Sequence, residues 1–309
     1  LGRGSPGVYE ALTALQEVRD ELLRLNVFLA LQLLGNTRLA DLNRLLNALE
    51  TPDNATSEMA TEILSSRGSD FSEALKPRLV SLLENPSQDL MSRILRIFNN
   101  LADMDETLAG KLVQVFPAMD RQNRINTLKL LARMDNEGKM ILQLCLDCLG
   151  DSEPTIIKEG LICATKYRQS FEQYNYLIIP LLSHADEETR LLAVSLIKGA
   201  CKTGTNCITP LIELLNDPSD KVRIVAASAL GSLGGSSEEA LEALSRTLKH
   251  EDERLRLSCV SALKIIGRQK SYKVIPVLEK ALEVQADIRT QRIIAGAIKE
   301  LKGINSLKQ

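Results

Sequence analysis

The stretch "LLNDPSDKVRIVAASALGSLG" (214–234) joins two apolar segments through a short turn of Asn, Asp, Pro and Ser residues. Taken alone, its carboxylates and basic side chains would suit acid–base chemistry or phosphate binding. The pattern recurs, however, in "LLENPSQDLMSRILRIFNNL" (82–101), and Pro86 and Pro218 lie 132 residues apart, which is four times 33. Because a fixed period of this length is typical of helical repeat proteins, the stretch predicts an array of repeats rather than one catalytic site.

Arginine recurs at the 33-residue period. Steps of 33 residues from Arg223 reach seven positions, and five of them are arginine: Arg124, Arg190, Arg223, Arg256 and Arg289, with Met91 and Ile157 at the other two. A planar guanidinium suits paired hydrogen bonds to a turn aspartate or to backbone carbonyls. We therefore expect the five arginines, together with Asp217, to fasten the seams between units. The functional alternative is a ladder that binds an acidic partner or a phosphate backbone.

Each unit has the pattern of two helices. Apolar residues at helical spacing, such as Ile208, Leu211 and Leu215, precede the polar turn, in which Ser219 or Asp220 suits a helix cap. The segment "IVAASALGSL" (224–233) then supplies small residues that allow neighbouring helices to approach closely, and Gly231, Gly234 and Gly235 supply the exit. No alternating β-branched segments occur. The sequence predicts an all-α fold, a right-handed α-solenoid of about seven two-helix units with an N-terminal helical cap.

The domain boundaries follow from where this pattern begins and fades. Residues 1–7 are typical of a linker or a cloning remnant, and residues 8–36 carry one apolar helical stripe, which predicts the N-terminal cap. We expect the repeat array over 37–302, clearest at 178–267, and a C-terminal tail at 303–309. Because the chain lacks an initiator Met and 27–35 is strongly apolar, we also expect a piece of a larger, multidomain or membrane-bound protein.

Three segments carry a family resemblance. "PLIELLNDPSDKVRIVAASALGSLG" (210–234), "LKHEDERLRLSCVSALKIIG" (248–267) and "PLLSHADEETRLLAVSLIKGA" (180–200) resemble HEAT repeats of the short type first recognised in phycobilisome lyases. The resemblance implies an α-solenoid whose turn arginine stabilises the packing of units. It also implies protein–protein interaction along a concave surface formed by the second helices.

Composition and charge bear on the alternatives. The chain of 309 residues has a net charge of −2 and no Trp, which does not favour nucleic-acid binding, and no apolar run is long enough to span a membrane.

The six cysteines fall mostly within apolar helical patterns, which favours reduced thiols and a cytoplasmic location. Cys145 and Cys148 form a C-x-x-C without a second pair, so core packing is expected. His184 and His250 lie two repeats apart, too far to share a metal. We predict no metal, no cofactor and no catalytic residue.

One aromatic cluster interrupts the repeat pattern. The segment "YRQSFEQYNY" (167–176) holds Tyr167, Phe171, Tyr174 and Tyr176, four of the ten aromatic residues of the chain. Because exposed tyrosine is enriched at interfaces, these four are candidate partner contacts. The alternative is an irregular turn between repeats that the rings themselves pack.

These observations favour a non-enzymatic interaction or scaffold module that binds along the concave surface. Its partner would be another protein or another domain of the same protein, which would make the array a regulatory part of a larger chain. Two alternatives stay open at this point: a phycobilin lyase-like enzyme or accessory factor, implied by the resemblance alone, and a HEAT-like nucleic-acid-binding protein. Neither a small-molecule ligand nor a transmembrane segment is expected.

Overall fold

The computed structural model describes residues 20, 23–27, 39–67, 72–101, 105–134, 139–201, 205–285 and 287–306, and these residues form helices and turns without any strand. The helices are α1 (Leu39–Leu49), α2 (Asn54–Arg67), α3 (Ser72–Leu82), α4 (Gln88–Asn100), α5 (Glu106–Val115), α6 (Arg121–Arg133), α7 (Lys139–Cys148), α8 (Pro154–Ala164), α9 (Asn175–Ile178), α10 (Glu187–Ala200), α11 (Thr205–Glu213), α12 (Asp220–Leu233), α13 (Glu238–Thr247), α14 (Glu253–Val284) and α15 (Ile288–Ser306). Short 3-10 segments continue several of them, at Phe116–Ala118, Thr165–Tyr174, Ile179–Ser183, Leu214–Asn216 and Gly234–Ser236. The predicted all-α solenoid is confirmed.

The predicted ends of the chain are only partly described. The linker at 1–7 and most of the cap at 8–36 lie outside the described residues, apart from residue 20 and a short helical segment at 23–27, where Leu25 and Val27 are buried. At the other end, α15 continues to Ser306, inside the segment predicted as a tail.

The chain divides into two compact units, residues 1–141 and 142–309. In the first unit, α1 packs on α2, α2 on α4, and α4 on α6. In the second unit, α8 packs on α10, α10 on α12, α12 on α14, and α14 on α15. In both units the second helix of each hairpin thus packs on the second helix of the next, which is the stacking expected of helical repeats.

The turn residues before each second helix explain where these helices begin. Ser219 accepts a hydrogen bond from the Val222 amide, so it is Ser219, rather than Asp220, that caps α12. The same arrangement sets a regular series of caps along the described chain: Asp53, Ser87, Asp120, Glu153, Asp186, Ser219, Asp252 and Asp287. All except Glu153 accept a hydrogen bond through the side chain, satisfying amides that a helix start leaves without partners. The described residues therefore contain eight second helices, where about seven units were predicted.

Helix α14 combines the second helix of one hairpin with the first helix of the last hairpin. Its backbone leaves helical geometry at Lys270, where φ is −127° and ψ is 47°. Residues on both sides of this kink are buried, including Ile266 and Val274. The kink thus separates the second helix of one hairpin from the first helix of the next, as a turn does in the other units.

The small residues of α12 let it lie unusually close to α14. A methyl group placed on Gly231 would come within 2.6 Å of the Ala262 Cα and 2.8 Å of its Cβ. Gly231 therefore lies inside the helix at a point of backbone contact, whereas the sequence suggested that it ends the helix. Gly234 takes the position after the helix end.

Candidate functional site

The fourth residue after each cap occupies the same place in every unit, and we call it the seam position. Arg190 fills it in α10 and reaches Asp217 in the following turn with two hydrogen bonds, Nε to Oδ2 at 2.8 Å and Nη2 to Oδ1 at 2.9 Å. Its Nη1 donates to the carbonyl oxygens of His184 and Ala185, at 2.8 and 3.0 Å. One buried guanidinium thereby binds its own turn and the next one.

Arg256 repeats this arrangement in α14. Its Nη1 donates to the carbonyls of His250 and Glu251, at 2.9 and 2.7 Å. Its Nη2 lies 3.1 Å from a carboxylate oxygen of Asp287, the residue that caps α15. Nε donates to the Thr290 hydroxyl at 3.3 Å. Arg256 therefore connects α14 to the last helix, α15, through two side chains at the start of α15.

Arg223 is turned more toward its own unit. Its Nη1 donates to the carbonyls of Asp217 and Pro218, at 2.7 and 3.4 Å, and its Nη2 pairs with Asp220. The carboxylate of Asp252 in the next turn lies 3.9 Å away, which is beyond hydrogen-bonding distance. The link from Arg223 to the next unit is thus an ion pair without a direct hydrogen bond.

Arg124 lies at the seam position of α6. Its Nη2 donates to the Pro117 carbonyl at 3.0 Å, and its guanidinium carbon lies 5.5 Å from the centre of the Phe116 ring. This distance is within the range of a cation–π contact. Like the other three arginines, Arg124 binds the turn that precedes its own helix.

Arg289 departs from the expectation. Its side chain is 72% exposed and pairs with Glu253 at 3.0 Å, and the seam position of α15 is instead occupied by Gln291. Gln291 donates through Nε2 to the Gln285 carbonyl at 2.5 Å, the carbonyl that corresponds to those bound by the arginines. The caps at Asp252 and Asp287 are 35 residues apart, so a step of 33 falls two residues short.

Two units carry apolar residues at the seam position. Met91 and Ile157 are both buried and cannot supply the arginine hydrogen bonds. Beside Met91 the link comes from Gln88, whose side-chain amide donates to the Ala118 carbonyl at 3.0 Å and accepts from the Asp120 amide at 2.9 Å. Beside Ile157 it comes from Lys158, which binds Glu188 at 3.0 Å. Neither substitute is found by stepping through the period, because Gln88 lies three residues before the seam position of its unit and Lys158 lies one residue after that of its own.

The aromatic cluster separates into buried and exposed members. Tyr167 is buried, and desolvation raises the pKa of its hydroxyl to about 12. Tyr174 is half-buried, whereas Tyr176 on α9 is 65% exposed. The side chain of Phe171 lies outside the described residues. The backbone of this segment is a 3-10 helix from Thr165 to Tyr174, which is an irregular connection between repeats.

The two histidines make hydrogen bonds within their turns, and the six cysteines are buried. His184 and His250 each accept a hydrogen bond through Nδ1 from a backbone amide two residues ahead, both at 3.0 Å. Hydrogen bonding to Cys163 and burial raise the pKa of the Cys145 thiol. Cys201 and Cys207 are also buried, with their sulfur atoms 2.9 Å apart. Within the described ranges, no group of three or more His, Cys, Asp or Glu side chains is arranged to hold a metal ion.

The exposed face of the second helices carries a feature that sequence reasoning missed. Each of α10, α12 and α14 has a serine nine residues after its cap, preceded four residues earlier by a half-buried aliphatic side chain. We call this the serine strip; it consists of Ser195, Ser228 and Ser261 with Leu191, Ile224 and Leu257. Ser195 and Ser261 are exposed and donate to the carbonyls of Leu191 and Leu257, both at 2.9 Å. The 33-residue step does connect these residues, so the signal was present in the sequence.

Comparison with known proteins supports the repeat assignment. Residues 208–299 match the family described as HEAT repeats. The match does not distinguish the phycobilisome-lyase type of repeat. A search of curated proteins finds no match.

Several solved structures share the fold at low sequence identity. An engineered protein is 15% identical, with 97% of this chain and 92% of that one covered and a TM-score of 0.58. YibA of Escherichia coli is 16% identical, with 98% and 99% covered and a TM-score of 0.54. A mutant of Kap121p is 13% identical, with 94% of this chain but 36% of that one covered and a TM-score of 0.59. At these identities the likeness establishes the helical-repeat fold alone.

Over the parts of the chain that the structure describes, no helix is both long enough and apolar enough to cross a membrane.

Proposed function

We propose that the protein is an interaction module and that the serine strip on α10, α12 and α14 binds a protein partner. The match to HEAT repeats and the helical-repeat fold support a protein-interaction scaffold in general terms. The observation that carries the specific proposal is the recurrence of one half-exposed aliphatic side chain and one serine on the second helices of three successive units.

The chemistry of the strip suits a peptide or helix laid across the three helices. Serine is small and each exposed hydroxyl of the strip is already bonded to its own helix, so a partner backbone can approach without leaving a buried polar group unpaired. The aliphatic side chains offer apolar area that contact with a partner would bury. With helices packed ~8–10 Å apart, the three rows extend over roughly 20 Å.

Lysines border the strip. Lys198 donates to Ser228 Oγ at 2.9 Å, and Lys264 pairs with Glu300 at 3.0 Å. Both lie twelve residues after a cap, one helical turn beyond the serine. An apolar centre with a polar rim is the usual composition of an interaction surface. The partner is another protein or another domain of the same polypeptide.

The exposed Tyr176 is a second proposed contact. Tyrosine offers a large rigid ring and a hydroxyl donor, and Tyr176 keeps most of its surface free while Tyr174 beside it is half-buried. We therefore assign the partner-contact role within the aromatic cluster mainly to Tyr176, and a packing role to Tyr167.

Site-specific photo-crosslinking in the producing cells tests the serine strip. Benzoylphenylalanine is placed at Ser195 or Ser261, and at Glu242 on α13 as the matched exposed position, where the side chain is 72% exposed. We expect the same discrete protein to be crosslinked from both strip positions and not from Glu242. Crosslinking to unrelated proteins from all three positions would contradict the proposal.

A steric block provides the converse measurement. Ser195→Arg combined with Ser261→Arg should lower recovery of the crosslinked partner at least about tenfold, because central contacts dominate binding energy. Glu242→Arg should leave recovery unchanged. Since both serines are exposed, circular dichroism and urea unfolding should show wild-type stability, and unchanged recovery in the double variant would exclude the strip as the binding surface.

A further inference from the structure

A cavity of ≈ 460 Å³ lies beside Met91 in the unit formed by residues 1–141. Its wall includes the turn residues Asn85 and Pro86 on one side, and Ala118 of the following turn on the other. These are the two turns that an arginine at the seam position would join. The cavity therefore occupies the side of the seam where the arginine of this unit is replaced by methionine.

Three other units show which group binds the carbonyls at the equivalent position. In each, the arginine Nη1 donates to the two backbone carbonyls that lie six and five residues before it: His184 and Ala185 for Arg190, Asp217 and Pro218 for Arg223, and His250 and Glu251 for Arg256. The equivalent carbonyls for Met91 belong to Asn85 and Pro86, which line the cavity. A thioether has no proton to donate, so Met91 cannot satisfy them.

The remaining seam contacts do not use these two carbonyls. Gln88 joins the turns through the Ala118 carbonyl and the Asp120 amide. Among the described residues, no hydrogen bond to the carbonyl oxygen of Asn85 or Pro86 is found. The turn thus keeps the acceptor pair of an arginine-binding unit although the arginine itself is missing.

The charged groups around the cavity are one of each sign. Glu84 contributes a carboxylate and Lys111 contributes an ammonium group. Their charges oppose each other in attracting a cation. At Arg190, Nη1 alone binds the carbonyl pair while the remaining nitrogens face the following turn, so selectivity must come from the planar fork of a guanidinium, which presents donors to both turns at once as a single ammonium does not. Met91 and Met119 supply flexible apolar surface for the methylene stem.

We propose that this cavity binds an arginine side chain presented by a partner protein, which takes the place that Arg190, Arg223 and Arg256 fill from within the chain. The site is separate from the serine strip, which lies in the other unit. The two proposals can therefore fail independently.

Methyl NMR of the 309-residue chain labelled with ¹³C-methyl methionine tests the site directly. N-acetyl-arginine amide is the probe, N-acetyl-lysine amide is the matched control ligand, and Met91→Leu assigns the Met91 resonance. We expect a saturable shift of the Met91 methyl with a dissociation constant of about 1 mM, as befits a ligand of this size. The lysine compound should bind at least about fivefold more weakly, because it lacks the fork.

Variants distinguish this site from unspecific binding of a cation. Met91→Arg should fill the site from within the chain and abolish the shift of the Met119 methyl on addition of the arginine probe. Lys111→Met should tighten binding and Glu84→Gln should weaken it, each by about two- to fivefold. These two exposed-side substitutions carry the test if Met91→Arg fails to fold.

The absence of a saturable shift would overturn the proposal. An equal response to the lysine compound would overturn it too, as would undiminished binding in a folded Met91→Arg variant. If Lys111→Met and Glu84→Gln change the affinity for the arginine probe in the same direction, the probe does not bind between these two charges.

Discussion

Arg190 and Asp217 form a doubly hydrogen-bonded ion pair across the seam between successive repeat units, with N–O distances of 2.8 and 2.9 Å. Their side chains are only 10% and 4% exposed. Hydrogen bonding to Asp217 raises the pKa of the Arg190 guanidinium, so the arginine stays charged at all relevant pH values. The pair ties the start of α10 to the turn before α12, and Arg190 makes two hydrogen bonds to the carboxylate of the next turn where Arg256 makes one.

Arg190→Ala should therefore be strongly destabilising. It leaves the Asp217 carboxylate buried without its partner, and the free energy of unfolding should fall by about 3 kcal/mol. Urea unfolding followed by circular dichroism measures this. Arg289→Ala removes an exposed ion pair and is the control, with an expected loss below about 1 kcal/mol. Equal losses in the two variants would mean that Arg190 is not a seam contact of special importance.

Gly231 and Gly296 make a matched pair for testing helix contact. Gly231→Ala should destabilise by about 1–3 kcal/mol, because the new methyl would collide with the backbone of Ala262. Gly296→Ala, on α15, meets nothing within 4 Å and should stabilise the protein by up to about 1 kcal/mol through helix propensity. Thermal unfolding of both variants gives the comparison. A stabilised Gly231→Ala protein would show that α12 and α14 are not in close contact.

The cap of the last helix predicts a pH dependence. Hydrogen bonds from Thr290 and then from Arg256 lower the pKa of Asp287 from 3.8 to about 2. Because the folded-state pKa is the lower one, the stabilising contribution of this carboxylate is complete above about pH 4 and is lost as the pH falls toward 2. Asp287→Asn should therefore lose less stability than wild type between pH 4 and pH 2, as measured by urea midpoints.

A second carboxylate variant controls for the loss of charge itself. Glu242→Gln removes an exposed carboxylate from α13 and should keep the wild-type slope of stability against pH over the same interval. If Asp287→Asn also keeps that slope, the hydrogen bonds to Asp287 do not persist in solution.

The thiols of Cys201 and Cys207 are placed to react with each other. Their sulfur atoms are 2.9 Å apart, which is closer than ordinary van der Waals contact, so only small movement is needed to form a bond. Diamide, as the two-electron oxidant, should join them with loss of both thiol protons, and peptide mapping should find the linked pair. Cys201→Ser should abolish this product.

Cys259 provides the internal comparison for oxidation. Burial alone raises the pKa of its thiol, without a contribution from any other cysteine, so among the described residues Cys259 has no partner for a disulfide and should stay reduced under the same treatment. Oxidation of Cys259 before the Cys201–Cys207 pair would contradict the contact between those two sulfur atoms.

Two tyrosines that are exposed within the described part of the chain allow the proposed contact to be separated from the effect of exposure in general. Tyr176 is 65% exposed and Tyr272 is 70% exposed. If the aromatic segment contacts the partner, Tyr176→Ala should lower recovery of the protein crosslinked from Ser195 by about tenfold or more, while Tyr272→Ala should leave it unchanged. Equal recovery in both variants would remove Tyr176 from the interface.

Much of the fold could be predicted from the period alone, since caps, apolar stripes and turn residues act over three or four residues. The arginine series shows where this reasoning ends. A step of 33 led to Arg289, whereas counting from the cap leads to Gln291, because two additional residues separate the caps Asp252 and Asp287. A side chain takes its position from the start of its own helix, and spacing between repeats gives that start only while every turn has the same length.

The sequence by itself determined the all-α repeat fold, the second helices and the arginine that accompanies most turns, because these follow from local contacts along the chain. Only the tertiary structure decided what each repeated residue touches. It placed Asp217 against Arg190, Gly231 against Ala262, Cys201 beside Cys207, and a cavity beside Met91. Such contacts join residues from different helices, and they depend on how closely two backbones pack, which no spacing within one helix specifies.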